Sequence, residues 1–176
     1  PSPDALLNNV KVLGVNLNDV DTVVLSHGHY DHTGGLIECL KHIEKRVLVV
    51  GHPLLFDPKL KVMPSLSSIG APFNRSEVES AGSLPVLATN PVKIAEGITT
   101  TGEVPRTTAF EKVRGFWTVH DRNFKEDLMI DDQALVLDVE GKGLVVISGC
   151  AHSGIINTIQ YAQQITQKQR VYAVMG

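Results

Sequence analysis

The sequence predicts a single α/β domain, with α+β character, over residues 1–176. Three observations carry this. Short β-branched runs alternate with an amphipathic helical pattern near the start, giving a strand–helix–strand unit. A Gly-linked pair of apolar strands, followed by a helix and another strand, closes the sequence. Between these blocks proline concentrates: six of the nine prolines fall within residues 53–91, which breaks that stretch into loops and short pieces.

Taken in order, residues 4–13 place Leu6, Leu7, Val10 and Leu13 at helical spacing, with Asp4 as the expected N-cap and Gly14 beyond the end. Residues 20–26 read as a buried strand. Residues 34–45 form a helix whose apolar face is Leu36, Ile37, Leu40 and Ile43 and whose charged face is Glu38, Lys41, Glu44 and Lys45. Residues 46–51 make a second buried strand, and the short links predict that it runs parallel to the first. A short helix capped by Asn74 is expected over 74–81, and a strand–turn–strand around Gly97 over 92–104. Residues 105–132, polar with scattered aromatics including Trp117, read as an excursion over the core. Strands over 134–139 and 144–148 are joined by Glu140-Gly141-Lys142-Gly143, a link suited to a hairpin. A helix follows over 153–168, with Ile155, Ile156, Ile159, Ala162 and Ile165 on one side, and then a buried strand over 171–175.

Composition narrows the function. With 16 Lys+Arg against 19 Asp+Glu, the formal net charge is −3, which excludes non-specific nucleic-acid binding by phosphate neutralisation. No apolar run approaches the roughly 20 residues that cross a bilayer. Two cysteines, Cys39 and Cys150, are too few for a disulfide framework. Pro1-Ser2-Pro3-Asp4 shows no signal-peptide pattern, so a cytoplasmic protein is expected. No Walker loop, dinucleotide fingerprint, Gly-x-Ser-x-Gly elbow or Cys-x-x-Cys pair is present.

The chemical signal lies in Ser26-His27-Gly28-His29-Tyr30-Asp31-His32-Thr33-Gly34-Gly35, which holds three of the 7 histidines and an aspartate. On an extended segment His27 and His29 leave the same face. Asp31 and His32 follow at the turn into a helix. Imidazole and carboxylate suit zinc, and also iron or manganese. One ion cannot use four donors from one turn without strain. Two ions about 3.5–4 Å apart relieve it, His27 and His29 on one, Asp31 and His32 on the other. His152, just past a strand and at a helix start, is expected at or behind the same site. His52 reads equally as a ligand or a turn-fixing residue, His42 as solvated, and His120 as loop surface. Cys150 with His152 would make a thiolate and its base, although a lone cysteine at an apolar strand end more often packs.

The run His27-Gly28-His29-Tyr30-Asp31-His32 resembles the His-x-His-x-Asp-His signature of the metallo-β-lactamase superfamily. Residues 27–36 (HGHYDHTGGL), 51–53 (GHP), 99–111 (TTTGEVPRTTAFE), 131–135 (DDQAL) and 148–159 (SGCAHSGIINTI) resemble its branch of dihydropterin-type synthases and metal-dependent hydrolases. That branch is implicated in joining a pterin methyl pyrophosphate to an aminobenzene ribofuranosyl phosphate. The resemblance implies a metallo-β-lactamase-like αββα sandwich, with metal roles for His27, His29, Asp31, His32 and His152. Family members usually begin with a strand pair ending in Asp-Thr-Gly and carry later His-Leu and His-Cys-Thr-Gly stretches, so the sandwich is expected to be incomplete at both ends of this chain. The cofactor expected is divalent metal, two zinc ions, with magnesium, manganese or iron as alternatives.

The resulting expectation is a metal-dependent hydrolase, with a metal-activated water or a metal-polarised phosphoryl or carbonyl group. Asp31 is the candidate catalytic residue that orients the nucleophile. Arg106, in the GEVPR run, is the candidate for binding a substrate phosphate or carboxylate through its planar fork. Pterin-methyl transfer at the same site is the alternative, and a metal-binding fragment without catalytic competence is another. The expected partner is a small, phosphorylated molecule, with no nucleic acid and no membrane. Exposed strand edges would favour pairing with a second copy of the chain.

Overall fold

The computed structural model describes residues 2–176. The chain opens with helix α1 (Pro3–Val12), capped by Ser2, whose hydroxyl accepts from Ala5 N at 3.3 Å. The cap expected at Asp4 is therefore two residues earlier. Pro3 takes the first helical position, where its missing N–H costs nothing, and Asp4 sits in the first turn, where its charge favours the helix dipole.

Strand β1 (Thr22–Val24) is shorter than the expected 20–26 and pairs in parallel with β2 (Val47–Gly51), as predicted. The helix expected over 34–45 is shortened to α3 (Leu36–Lys41), and a separate helical turn α2 (Tyr30–Thr33) precedes it across Gly34-Gly35. A Cβ on Gly35 would lie 2.8 Å from Leu6 Cδ2, so glycine there lets α1 pack close. Strands β3 (Lys59–Lys61) and β4 (Ser67–Ser68) and helix α4 (Arg75–Ser80) fill the proline-rich stretch. Asn74 caps α4 as expected, in a reciprocal box with Glu77.

Strand β5 (Ser83–Leu87), absent from the sequence reading, pairs in parallel with β2. Pro85 hid it. The strand tolerates that residue because it lies at the edge of a three-stranded sheet ordered β1-β2-β5. Leu25, Leu36, Leu40, Ile43, Val47, Val49, Leu55, Phe73 and Val78 bury the side of this sheet that faces the helices. Burial of each such side chain stabilises by about 1.5–3 kcal/mol.

The later block contains β6 (Lys93–Ala95), β7 (Ile98–Thr100), β8 (Phe116–His120), β9 (Asn123–Glu126), β10 (Ala134–Val139), β11 (Gly143–Ser148), helix α5 (Ile155–Thr166) and β12 (Val171–Met175). A five-stranded sheet runs β12-β11-β10-β7-β6. The β10–β11 hairpin is the predicted one, and Val136, Leu144 and Val146 pack with Ala134 and with Ala162 of α5. Strand β12 is not buried as expected. It is an edge strand, with Tyr172, Val174 and Met175 exposed.

The excursion at 105–132 holds more structure than expected. Strands β8 and β9 form a hairpin and join β3 and β4 in a four-stranded sheet, β4-β3-β8-β9. Its two-residue turn, Asp121-Arg122, takes positive φ at both positions, the geometry usually signalled by Asn-Gly. The first two sheets meet where Gln133 donates through its backbone N to Ser26 O and through Nε2 to Leu25 O, both at 2.9 Å. Among the described residues, no helix is long and apolar enough to cross a membrane.

Candidate metal centre

The histidine motif begins at His27, three residues beyond the end of β1, and its backbone is fixed by contacts distant in sequence. Gly28 N donates to Asp131 Oδ2 at 2.8 Å. A Cβ on Gly28 would stand 2.4 Å from Leu55 O, so only glycine fits. Asp131 Oδ1 also accepts from Lys59 Nζ at 2.7 Å, and Lys59 lies 3.0 Å from Asp127. The side chain of Lys59 is 2% exposed.

His152 is positioned from the other half. Ala151 takes positive φ, turning the chain after β11. Helix α5 starts at Gly154, which offers no capping side chain. Glu111 supplies the cap from the excursion: its carboxylate accepts from Ile156 N at 2.8 Å and Asn157 N at 3.0 Å. Burial alone would raise the Glu111 carboxyl, but these N–H groups hold it below the ordinary value. Asn157 Oδ1 in turn accepts from Thr107 N and Thr108 N, tying the excursion to α5.

These restraints bring His27, His29 and His152 together, with donor atoms within 4.8 Å of one another. His27 Nε2 lies 3.1 Å from His29 Nδ1. Two nitrogens on a tetrahedral zinc stand about 3.3 Å apart, from bond lengths of about 2.0–2.1 Å, so this separation fits a shared ion. Nε2 of His29 and Nε2 of His152 are buried without a hydrogen-bond partner. Burial first, and then the neighbouring His32, His29 and His152, push His27 down to about 2. Burial and His152 push His29 down to about 4. Burial also lowers His152. Burial thus disfavours protonation of all three rings, and Phe116 packs over His29 and His152 at ring distances of 5.1 and 5.2 Å.

His32 stands beside this group, its ring 4.3 Å from that of His27. His27, His32 and Cys150 form a second set of donors within 4.8 Å. Asp31 sits at the mouth: its side chain is 56% exposed and Oδ2 is 3.6 Å from His32 Nε2. The structure thus brings His27, His29, His32 and His152 into one cluster and leaves Asp31 at its solvent side.

The remaining candidates are sorted by their contacts. Arg106 Nη2 donates to the carbonyls of Leu128 and Met129, anchoring the turn that precedes Asp131 and Asp132. His52 is a structural residue. Its Nδ1 accepts from Leu54 N at 3.1 Å and its Nε2 meets Glu103 Oε1 at 2.8 Å. His42 is half exposed, as expected. His120 is not loop surface: it ends β8 and its Nδ1 lies 2.5 Å from Asp57. Cys150 is exposed rather than packed, and its imidazole neighbour is His32 at 3.1 Å, not His152.

Sequence reasoning missed Asp132 and Lys59. Asp132 Oδ2 accepts from Ser153 N at 3.0 Å, while Oδ1 lies 3.7 Å from His27 Nδ1 and has no hydrogen-bond partner. Burial raises its carboxyl to about 6, despite the Ser153 amide. The acidic pair Asp131-Asp132 was the available signal; for Lys59, one lysine among many, there was none. A groove of about 440 Å³ reaches Cys150 and His152, with Phe110, Lys112, Val113 and Ile155 among its walls.

Known proteins resemble this chain in sequence and in fold. The family model of the metallo-beta-lactamase superfamily matches residues 2–161. The 7,8-dihydropterin-6-methyl-4-(beta-D-ribofuranosyl)-aminobenzene-5'-phosphate synthase of Methanocaldococcus jannaschii is 32% identical over 180 residues, covering 98% of this chain and 60% of that protein. An uncharacterized protein of the same organism is 32% identical over 148 residues, covering 84% of this chain and 54% of the other. Among solved structures, a metal-dependent hydrolase of the beta-lactamase superfamily matches with a TM-score of 0.79 at 27% identity, over 98% of this chain and 62% of that one. The chain thus spans 54–62% of the length of these relatives.

Proposed function

The chain belongs to the metallo-β-lactamase superfamily, and from that premise we propose that it is a metal-dependent enzyme of the hydrolase type, acting on a small phosphorylated molecule. His27, His29 and His152 would hold one divalent ion, and His32 with Asp31 a second, zinc being the ion that the donor set suits best. When bound, such ions lower the pKa of a coordinated water and polarise a phosphoryl or carbonyl oxygen.

The observation that carries the proposal is the convergence of three imidazoles, two buried and one half-buried, with unpartnered ring nitrogens on His29 and His152. Each part of the chain has a defined task in this reading. Lys59 and Asp131 hold the Gly28 amide, and so the angle between His27 and His29. Glu111 holds the start of α5, and so the approach of His152. Phe116 excludes water from the inner side of the cluster. Asp31, exposed at the mouth, orients the attacking oxygen through its carboxylate. Arg106 keeps one guanidinium nitrogen on backbone carbonyls and offers the rest of its fork to a substrate phosphate.

A second reading, pterin-methyl transfer to a ribofuranosyl-aminobenzene phosphate, is favoured by the printed activity of the synthase that is 32% identical over 98% of this chain. The same residues would then polarise a phosphorylated leaving group rather than present water.

Elemental analysis of the purified chain tests the shared premise, with two divalent ions per chain expected. His27→Ala should lose most of that metal and, with it, turnover of phosphate-ester substrates. Retention of both metal and turnover would refute the assignment. Formation of the joined pterin product, with no hydrolysis of either precursor alone, would select the second reading.

A further inference from the structure

The assignment above leaves Cys150 without a task, although it stands among the metal donors. Its Sγ lies 3.1 Å from His32 Nε2, and Asp31 Oδ2 lies 3.6 Å from the same nitrogen. His27, His32 and Cys150 place donor atoms within 4.8 Å of one another. Glycine at 149 makes this approach achievable: a Cβ there would meet Ser26 Oγ at 2.4 Å and stand 3.3 Å from His32 Nδ1. A further sign comes from His27, the histidine common to both donor sets. Next to its Nδ1, at 3.7 Å, the buried Oδ1 of Asp132 has no hydrogen-bond partner. Imidazole and sulfur donors thus gather on the side of His27 where Asp31 reaches His32, and the unpartnered Asp132 oxygen stands 3.7 Å from the ring that both donor sets share.

We propose that Cys150, as a thiolate, is a ligand of a divalent ion that it shares with His32 and Asp31. The inference rests on the metal-centre reading and adds a soft ligand to its second position. Nitrogen and sulfur on one tetrahedral zinc stand about 3.6 Å apart, from bonds of about 2.05 and 2.3 Å. The observed 3.1 Å therefore needs a shift of only a few tenths of an ångström, which the exposed Cys150 side chain can make. On binding, the S–H bond breaks, its proton passes to solvent and the sulfur lone pair forms the bond to the ion; no oxidation state changes. Two anionic donors then balance the dication. The functional consequence is selectivity: sulfur favours zinc, cobalt or ferrous iron at this position and disfavours magnesium, which takes oxygen ligands.

The test loads the metal-free full chain with Co²⁺ and reads ions bound per chain, the visible d–d bands and the near-ultraviolet sulfur-to-cobalt charge-transfer band. The wild-type chain should show that band, as should Cys39→Ser, because Cys39 packs against the first hydrophobic core. Cys150→Ser should lose the band, bind the second ion about tenfold or more weakly, and keep the d–d spectrum of the histidine-bound ion. A wild-type chain that binds Co²⁺ without the band overturns the thiolate ligand and leaves the histidine centre standing; so does a band that survives in Cys150→Ser. A chain that binds no Co²⁺ at all overturns both.

Discussion

Lys59→Met probes how firmly the metal-site backbone is held. The Nζ of Lys59 contacts Asp131 at 2.7 Å and Asp127 at 3.0 Å, with the three side chains 2%, 0% and 8% exposed. Methionine keeps the length and apolar stem of lysine but removes the cation, leaving two carboxylates facing each other away from water. Removing one partner of a buried pair costs about 3–5 kcal/mol, against about 0–1 kcal/mol for a surface pair. Since whole domains are stable by about 5–15 kcal/mol, the loss is a large share of the total. Equilibrium urea unfolding of the metal-free chain measures it as a shift of the midpoint at unchanged slope. The triple variant Lys59→Met, Asp127→Asn, Asp131→Asn should recover most of the loss. The amide oxygens still accept from Met129 N and Gly28 N, and no unpaired charge remains. A loss below about 1 kcal/mol for Lys59→Met, or no recovery in the triple variant, would refute the claim that a desolvated ion pair fixes this loop.

The other expectations follow from the same geometry. Gly28→Ala should cost about 1–3 kcal/mol by overpacking against Leu55 O and should weaken metal binding, because the His27–His29 angle must change; calorimetric metal titration with a thermal melt checks both. Glu111→Ala should cost about 1 kcal/mol through loss of the α5 cap, read by urea unfolding, and an unchanged midpoint would show that the helix needs no cap from the excursion. Acid should destabilise the metal-free chain. Folding pushes His27 and His29 from 6.5 down to about 2 and about 4, so below pH 6.5 only the unfolded chain takes up these protons and stability falls with pH. Asp132, raised from 3.8 to about 6, opposes this between those values, since there the folded chain holds the extra proton. His27 and His29, with the lowered His152 acting in the same direction, outweigh the one carboxyl and leave a net loss of roughly 1 kcal/mol or more per pH unit between pH 6 and 4, and a flat or rising stability on acidification would contradict it.

What was legible in the sequence was local in origin. The spacing of His27, His29 and His32 lies within one turn, and the β-branched runs of β2, β10 and β11 declare themselves without reference to neighbours. Asn74 announces α4 because the box it forms with Glu77 closes within the same helical turn. The failures share the opposite property. Strand β5 carries Pro85 and is a strand only because β2 lies beside it. The β8–β9 hairpin turns through Asp121-Arg122, and its partner β3 is more than fifty residues away. Ser2 displaced Asp4 as cap because Pro3 takes the first helical position.

The same distinction separates donors from the groups that aim them. The histidines can be found by spacing, but their orientation is set by the contacts of Gly28 with Asp131, Asp131 with Lys59, His27 with Asp132, and α5 with Glu111. The pairs span 103, 72, 105 and 46 residues, so no window of sequence contains them. Such separations carry a loop-closure cost that the polar contacts alone do not repay. The apolar cores beneath the first two sheets supply the stabilisation that brings these partners to one another. A core substitution such as Val146→Ala should therefore weaken metal binding beyond its local cavity, because β11 delivers both Cys150 and His152 to the cluster.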